Sequence, residues 1–131
     1  MKKNSSIYIA GHNGLVGSAI ERKLRSVGFN NILTINKSEL DLTNSEDVEK
    51  FFSTNNIEYV FDAAAKVGGI NANNRYSADF IYQNTMIQSN LIHNSWKLGV
   101  KKFLFLGSVC IYPKLAPTPV KEESLLCGDL E

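Results

Sequence analysis

The stretch GHNGLVG, with glycines at positions 11, 14 and 17, constrains this chain more than any other feature. Ile7, Tyr8, Ile9 and Ala10 before it form a continuous apolar run, the pattern of a strand covered on both faces. After it, Leu15, Val16, Ala19, Ile20, Leu24 and Val27 recur at three- and four-residue spacing with charges between them, which predicts an amphipathic helix ended by Gly28. A strand, a glycine turn and a helix in that order let the backbone approach a diphosphate, while the helix N-terminus presents unpaired N–H groups to it. The spacing alone would also suit an ordinary tight turn. The flanking strand and helix make it a nucleotide signal.

The same alternation continues downstream. Asn31 to Asn36 predicts a second strand, Thr43-Asn44-Ser45-Glu46 a capping box opening a helix through Phe51 and Phe52, and Tyr59 to Ala65 a third strand. Glu39 to Leu42 looks extended, but its short connection falls well below the roughly dozen residues of a parallel crossover, so it is read as a flanking strand-like segment. The longest helix is expected from Ala78, turning Phe80, Ile81, Ile87, Leu91, Ile92 and Trp96 toward the sheet, with Gly99 as its cap. KKFLFLG is then a fourth strand. This order predicts an α/β fold, a Rossmann-like doubly wound parallel sheet in three αβα layers with right-handed crossovers. Residues 1–112 are read as the cofactor-binding domain, and 113–131, with Pro113, Pro117 and Pro119, as an irregular tail.

Composition narrows the partners. The 131 residues suit a single domain, and 14 Lys and Arg against 13 Asp and Glu leave no footprint for nucleic acid or an anionic membrane. No run reaches the roughly eighteen apolar residues of a membrane span, and the four after the N-terminal lysines fall short of the roughly seven to fifteen in a signal peptide. Cys110 and Cys127 suggest neither a disulfide framework nor a zinc site, so no metal is expected and a reducing cytoplasm is the simplest home.

Gly11, His12, Asn13, Gly14, Leu15, Val16 and Gly17 are expected to hold the diphosphate, with His12 ordering the turn. The second strand ends Ile35-Asn36-Lys37, without the acid that would hold a ribose 2′-hydroxyl. Lys37 instead offers a cation to a 2′-phosphate, which favours NADP(H); the competing reading is a solvated surface lysine. Asp41 and Leu42 either flank the adenine or form an acidic turn before a helix. Ala63, Ala64, Ala65, Leu106 and Gly107 stand at carboxyl ends of strands, where open parallel sheets bind ligands. Lys66 belongs to the pocket or to the surface, and His93 is expected to pack near Trp96. If the chain stays extended past Gly107, Ser108 and Cys110 point to one side and line a wall over the nicotinamide. A serine bonded to its own backbone and a buried inert thiol are the plainer alternatives.

GHNGLVGSAI, AAAKVGGI with ANN soon after, ADFIYQN and FLFLGSVCIYPK together resemble the GDP-L-fucose synthases, epimerase-reductases of the extended short-chain dehydrogenase/reductase class, over essentially the whole chain. The resemblance implies epimerisation of GDP-4-keto-6-deoxy-D-mannose at C3 and C5, then hydride transfer from NADPH to the C4 ketone, in an enzyme that is dimeric when complete. It implies that Ser108 and a tyrosine hydroxyl stabilise the enolate, and that Cys110 moves protons. A free thiol titrates near about 8.5, so that role needs a pocket favouring thiolate. Asn13 stands where the family often has arginine.

The family's Tyr-x-x-x-Lys pair is missing, because the residues four past Tyr8, Tyr59, Tyr76, Tyr82 and Tyr112 are His12, Ala63, Phe80, Met86 and Ala116. The expectation is therefore an N-terminal fragment without the substrate domain, inactive alone, whose last strand edge favours association. Two other readings stand beside the synthase. One is a noncatalytic NADP-binding fragment, and the other a related GDP-sugar reductase such as one making GDP-colitose.

Overall fold

The computed structural model describes residues 1–130; Glu131, the last residue of the expected tail, lies outside them. Strands β1 (Ile7–Ala10), β2 (Ile32–Leu33), β3 (Tyr59–Asp62) and β4 (Lys102–Phe105) pair in parallel in the order β2-β1-β3-β4. Helices α1 (Leu15–Ser26), α2 (Ser45–Thr54), α3 (Ile70–Arg75) and α4 (Ser77–Lys97) connect them.

Strand alternation sends β1 side chains into two cores. Ile7 and Ile9 pack with Leu24 of α1 and Phe29, while Tyr8 and Ala10 pack with Val48 and Phe52 of α2 and Leu91 of α4. Helices therefore cover both faces of a Rossmann-like sheet, in the three layers that the alternation predicts. The chain leaves β1 toward β2 and returns across it to β3, so the connections diverge above the carboxyl ends of β1 and β3. Such a divergence opens a crevice.

Several elements differ from the sequence reading. β2 is only two residues long, and Glu39 to Leu42 is a turn region rather than strand-like, with the Glu39 and Leu40 N–H groups both donating to the Asn36 carbonyl at 3.0 Å. Burial of Leu40 in the core draws the chain inward there. Asn44, not Thr43, caps α2: its Oδ1 accepts from the N–H groups of Glu46 and Asp47 at 3.0 and 3.3 Å. The Thr43 hydroxyl donates instead to Asp41 at 2.8 Å. The short helix α3, none of it buried, was not foreseen.

Helix α4 corrects the expected inward face. Leu91 is fully buried and Ile87 packs on the core, but Ile81, Ile92 and Trp96 are exposed. At about 100° per residue, those three fall within about 60° of one another and about 80–180° around the helix from Leu91 and Ile87, so one sheet cannot bury both sets. β4 forms an edge of the sheet, with Leu104 and Phe105 exposed. From Pro113 to Leu130, a 3-10 turn at Glu122–Ser124 is the only regular element among the described residues. No helix among them is long and apolar enough to cross a membrane.

Candidate functional site

The glycine turn is built by close approach. Gly11 has a φ of +75°, and a Cβ there would lie 2.5 Å from the Ala63 carbonyl oxygen, so the turn rests directly on the end of β3. At Gly17 a Cβ would stand 2.2 Å from the Gly11 carbonyl oxygen, which brings the first turn of α1 against the loop. Gly14 caps α1 with no side-chain bond, and no acidic residue occupies the first helical turn. The N–H groups and positive dipole end of α1 therefore remain available to an anion.

In front of this turn lies a cleft of about 430 Å³, within the usual range for small-molecule sites. Gly11 through Val16, Lys37, Asp41, Leu42 and Ala63 through Ala65 line it. Lys66 does too, with Nζ 5.2 Å from the centre of the Phe80 ring. Gly17 is not in the wall but behind it, and Leu106 and Gly107 also lie outside. Sequence reading missed Tyr8, Ile35, Leu40, Thr43, Val67, Gln83 and Ile87. Nothing local distinguishes Ile87 or Gln83 from other positions of a long helix.

Polar contacts fix the rim. Asn13 Nδ2 donates to Asn36 Oδ1 at 2.9 Å, tying the glycine turn to the loop after β2. The Thr43 N–H and hydroxyl, with Lys37 contributing, hold the Asp41 carboxyl below its ordinary range. Beneath the cleft, Asp62 is 1% exposed; its Oδ1 accepts from the Ala64 N–H at 3.1 Å, while Oδ2 has no partner among the described residues. Burial pushes its pKa up to about 6. Burial, and then the nearby Asp62 charge, raises that of the Tyr8 hydroxyl as well.

Ser108 and Cys110 follow β4, but the chain does not stay extended. Val109–Ile111 forms a 3-10 turn capped by Ser108, whose Oγ accepts from the Cys110 N–H at 3.2 Å. The two-residue alternation expected for this pair therefore does not apply. Both side chains are exposed and neither lines the cleft. His93 lies beside Trp96, ring centres 5.7 Å apart, on the exposed side of α4.

Comparison with known proteins gives consistent results. The chain is 59% identical over all 131 residues to a putative GDP-L-fucose synthase 2 of Arabidopsis thaliana, and 54% identical over 125 residues, 95% of the chain, to a GDP-L-fucose synthase of Escherichia coli K12. It spans 40% and 39% of the lengths of these two relatives. Among solved structures, MlghC, a GDP-mannoheptose C4 reductase from Campylobacter jejuni with NADP bound, superposes with a TM-score of 0.94 at 50% identity, covering all of this chain and 39% of that one. The model of the NAD dependent epimerase/dehydratase family matches residues 7–130. By its glycine turn, its parallel sheet and this match over nearly its full length, the chain belongs to the NAD dependent epimerase/dehydratase family.

Proposed function

We propose that this chain is the NADP(H)-binding N-terminal part of a cytoplasmic epimerase-reductase that converts GDP-4-keto-6-deoxy-D-mannose into GDP-L-fucose. The 59% identity across all 131 residues carries this reading. In it, residues 1–112 form the cofactor domain and 113–131 a connecting tail. The turn around Gly14 grips the diphosphate, and Lys37 meets the 2′-phosphate. Leu106 and Gly107, at the carboxyl end of β4, border the nicotinamide, which supplies hydride to C4. Ser108, released from the Cys110 N–H, donates to the ketone oxygen so that charge developing there is stabilised, and Cys110 moves the protons at C3 and C5. A tyrosine and a lysine must complete the proton path at the ketone, and no Tyr-x-x-x-Lys occurs in these 131 residues. The chain by itself therefore binds cofactor without turnover.

A chimera of residues 1–131 with the remainder of the Arabidopsis relative tests this. It should form GDP-L-fucose from the 4-keto sugar and NADPH. In the chimera, Cys110→Ser should slow solvent-deuterium exchange at C3 and C5 by about 10²-fold or more, the scale of a lost proton-transfer group, while reduction of epimerised substrate changes by less than about threefold. Equal losses in both steps would remove Cys110 from the role. The 50% identity to a GDP-sugar C4 reductase favours a second reading, reduction without epimerisation. A folded chimera that reduces a GDP-4-keto sugar without exchange at C3 or C5 would establish that reading instead.

The outward stripe of α4 supports a homo-oligomer. Ile81, Tyr82, Ile92 and Trp96 are exposed on it, and no charge falls between Asp79 and Lys97. Those two charges stand about five turns apart on one line of the helix. An antiparallel pairing of two copies about Gln88 would set Ile81 against Trp96 and each Asp79 near the opposite Lys97, which also pairs with Glu49 at 2.5 Å. Sedimentation should show a dimer that Trp96→Glu converts to monomer; a wild-type chain that stays monomeric at about 100 μM, above typical micromolar affinities, would exclude this interface. The open β4 edge gives a separate route to aggregation.

A further inference from the structure

We infer that Asn84 and Asn90 of α4 are positioning residues that set the width of the cofactor cleft, each gripping the main chain of one of its two rim loops. The inference rests on reading the cleft as a dinucleotide site. Asn84 forms a two-point amide clasp on Lys66: its Oδ1 accepts from the Lys66 N–H at 2.7 Å, and its Nδ2 donates to the Lys66 carbonyl at 3.0 Å. Six residues farther along the helix, Asn90 Nδ2 donates to the Leu42 carbonyl at 2.8 Å.

The sequence distances are long, 18 and 48 residues, so neither bond serves local helix capping. Both end on segments without regular structure, where backbone N–H and C=O groups have no ladder partner and must be satisfied otherwise. The loop after β3 begins on fixed points, with the Ala63 N–H on the Ala10 carbonyl and the Ala64 N–H on Asp62. By Lys66 those anchors have ended, and Asn84 takes over. The loop after β2 is similarly pinned at Asp41 and Thr43, and the inward-facing Leu42 carbonyl goes to Asn90.

The choice of residue is costly for a helix face that packs on a sheet. Asn90 is 7% exposed, and an amide at such a depth is unfavourable unless it makes its hydrogen bonds, whereas leucine would be favourable outright. The one hydrogen bond of its side chain leads to the cleft rim. Between the two asparagines, Ile87 contributes wall directly, as does Gln83 beside Asn84. One rigid helix thus fixes the spacing of Leu42 from Lys66, and with it the gap that receives the cofactor's adenosine portion. Pre-set geometry lowers the ordering cost of binding.

The 131-residue chain is titrated with NADPH by fluorescence and with 2′,5′-ADP by calorimetry, with melting curves taken without ligand. Asn84→Ala and Asn90→Leu should each raise both dissociation constants by about tenfold, in line with a lost buried hydrogen bond, while the unliganded fold still melts cooperatively. Asn90→Asp separates positioning from packing. At pH 8 its carboxylate cannot donate to Leu42 and binding should fall likewise. At pH 5 the protonated acid can donate again, and affinity relative to wild type at the same pH should return. Loss of packing would not reverse in this way. Variants that bind within twofold of wild type, or an Asn90→Asp deficit equal at both pH values, would overturn the inference alone. A folded wild-type chain that binds neither ligand would overturn the reading of the cleft on which it rests.

Discussion

Gly17→Ala should raise the dissociation constant for NADPH by at least about 10²-fold while leaving a chain that still folds. The added Cβ would lie 2.2 Å from the Gly11 carbonyl oxygen, and 2.7 Å from its carbon. Real contacts of this kind stay above 3.0 Å, so the loop and the first turn of α1 must separate by about 1 Å. No rotamer relieves the clash, because both partners are fixed to the backbone. A displacement of that size is enough to cost about two orders of magnitude where several donors must meet one anion together. Stability should fall too, by about 1–3 kcal/mol as for other overpacked sites. Gly14→Ala is the comparison, since its Cβ would meet the same oxygen at 3.3 Å and its backbone is extended. Isothermal titration of both variants decides the matter. A cooperatively melting Gly17→Ala chain that binds NADPH as wild type does would show that the diphosphate does not sit at this turn.

The second large effect concerns Asp62. Its carboxyl is pushed from an ordinary 3.8 up to about 6 by burial, against a smaller opposing contribution from the Ala64 N–H. The folded state therefore favours the protonated acid. Below pH 3.8 the group is neutral in both folded and unfolded chains and costs nothing. Between 3.8 and about 6 the unfolded chain ionises while the folded one keeps its proton, so stability falls as the pH rises and levels off above about 6, where both states are charged. At about 1.4 kcal/mol per pH unit, the gap between 3.8 and 6 corresponds to about 3 kcal/mol at neutral pH.

Asp62→Asn keeps an acceptor for Ala64 and removes the charge. Its new amide nitrogen takes the place of an oxygen that already lacks a partner, so a constant offset from that group is expected at every pH. The informative quantity is the change with pH. The stability of the Asp62→Asn variant relative to wild type should increase by about 2.5 kcal/mol between pH 4 and pH 8, or about 10 °C in Tm for a chain of this size. Urea titrations at the two pH values measure it. A difference that stays constant with pH would mean that Asp62 ionises in the folded chain as readily as in the unfolded one.

Much of the fold was legible because the signals were local. The run Ile7 to Ala10, the three glycines and the spacing from Leu15 to Leu24 each state a backbone preference within one turn or strand, and the structure places β1, the loop and α1 where those preferences point. The position of the cleft was legible for the same reason, since such crevices follow from sheet topology once the strands are known. Lys37, Asp41 and Ala63 to Ala65 reach the cleft on that ground. Leu106 and Gly107 do not, because in these residues β4 lies one strand farther from the crevice, beyond β3.

What local pattern could not decide was which of two acceptable surfaces would be used. Helix α4 is apolar on two sides, and Ile81, Ile92 and Trp96 suit an inward face as well as Leu91 does by spacing alone. The Asn84 and Asn90 bonds to distant loops accompany the observed rotation, and those partners lie 18 and 48 residues away. Likewise the turn after Gly107 replaces an extended run because the Ser108 hydroxyl finds the Cys110 N–H. Sequence by itself determined the order of the main strands and helices, α3 apart, and the glycine turn, since each shows in a pattern within a few residues, and the parallel sheet followed from their alternation. Only tertiary structure decided the face of α4, the inward turn at Leu40 and the buried acid at Asp62, because burial and long-range hydrogen bonds depend on which segments the assembled sheet brings together.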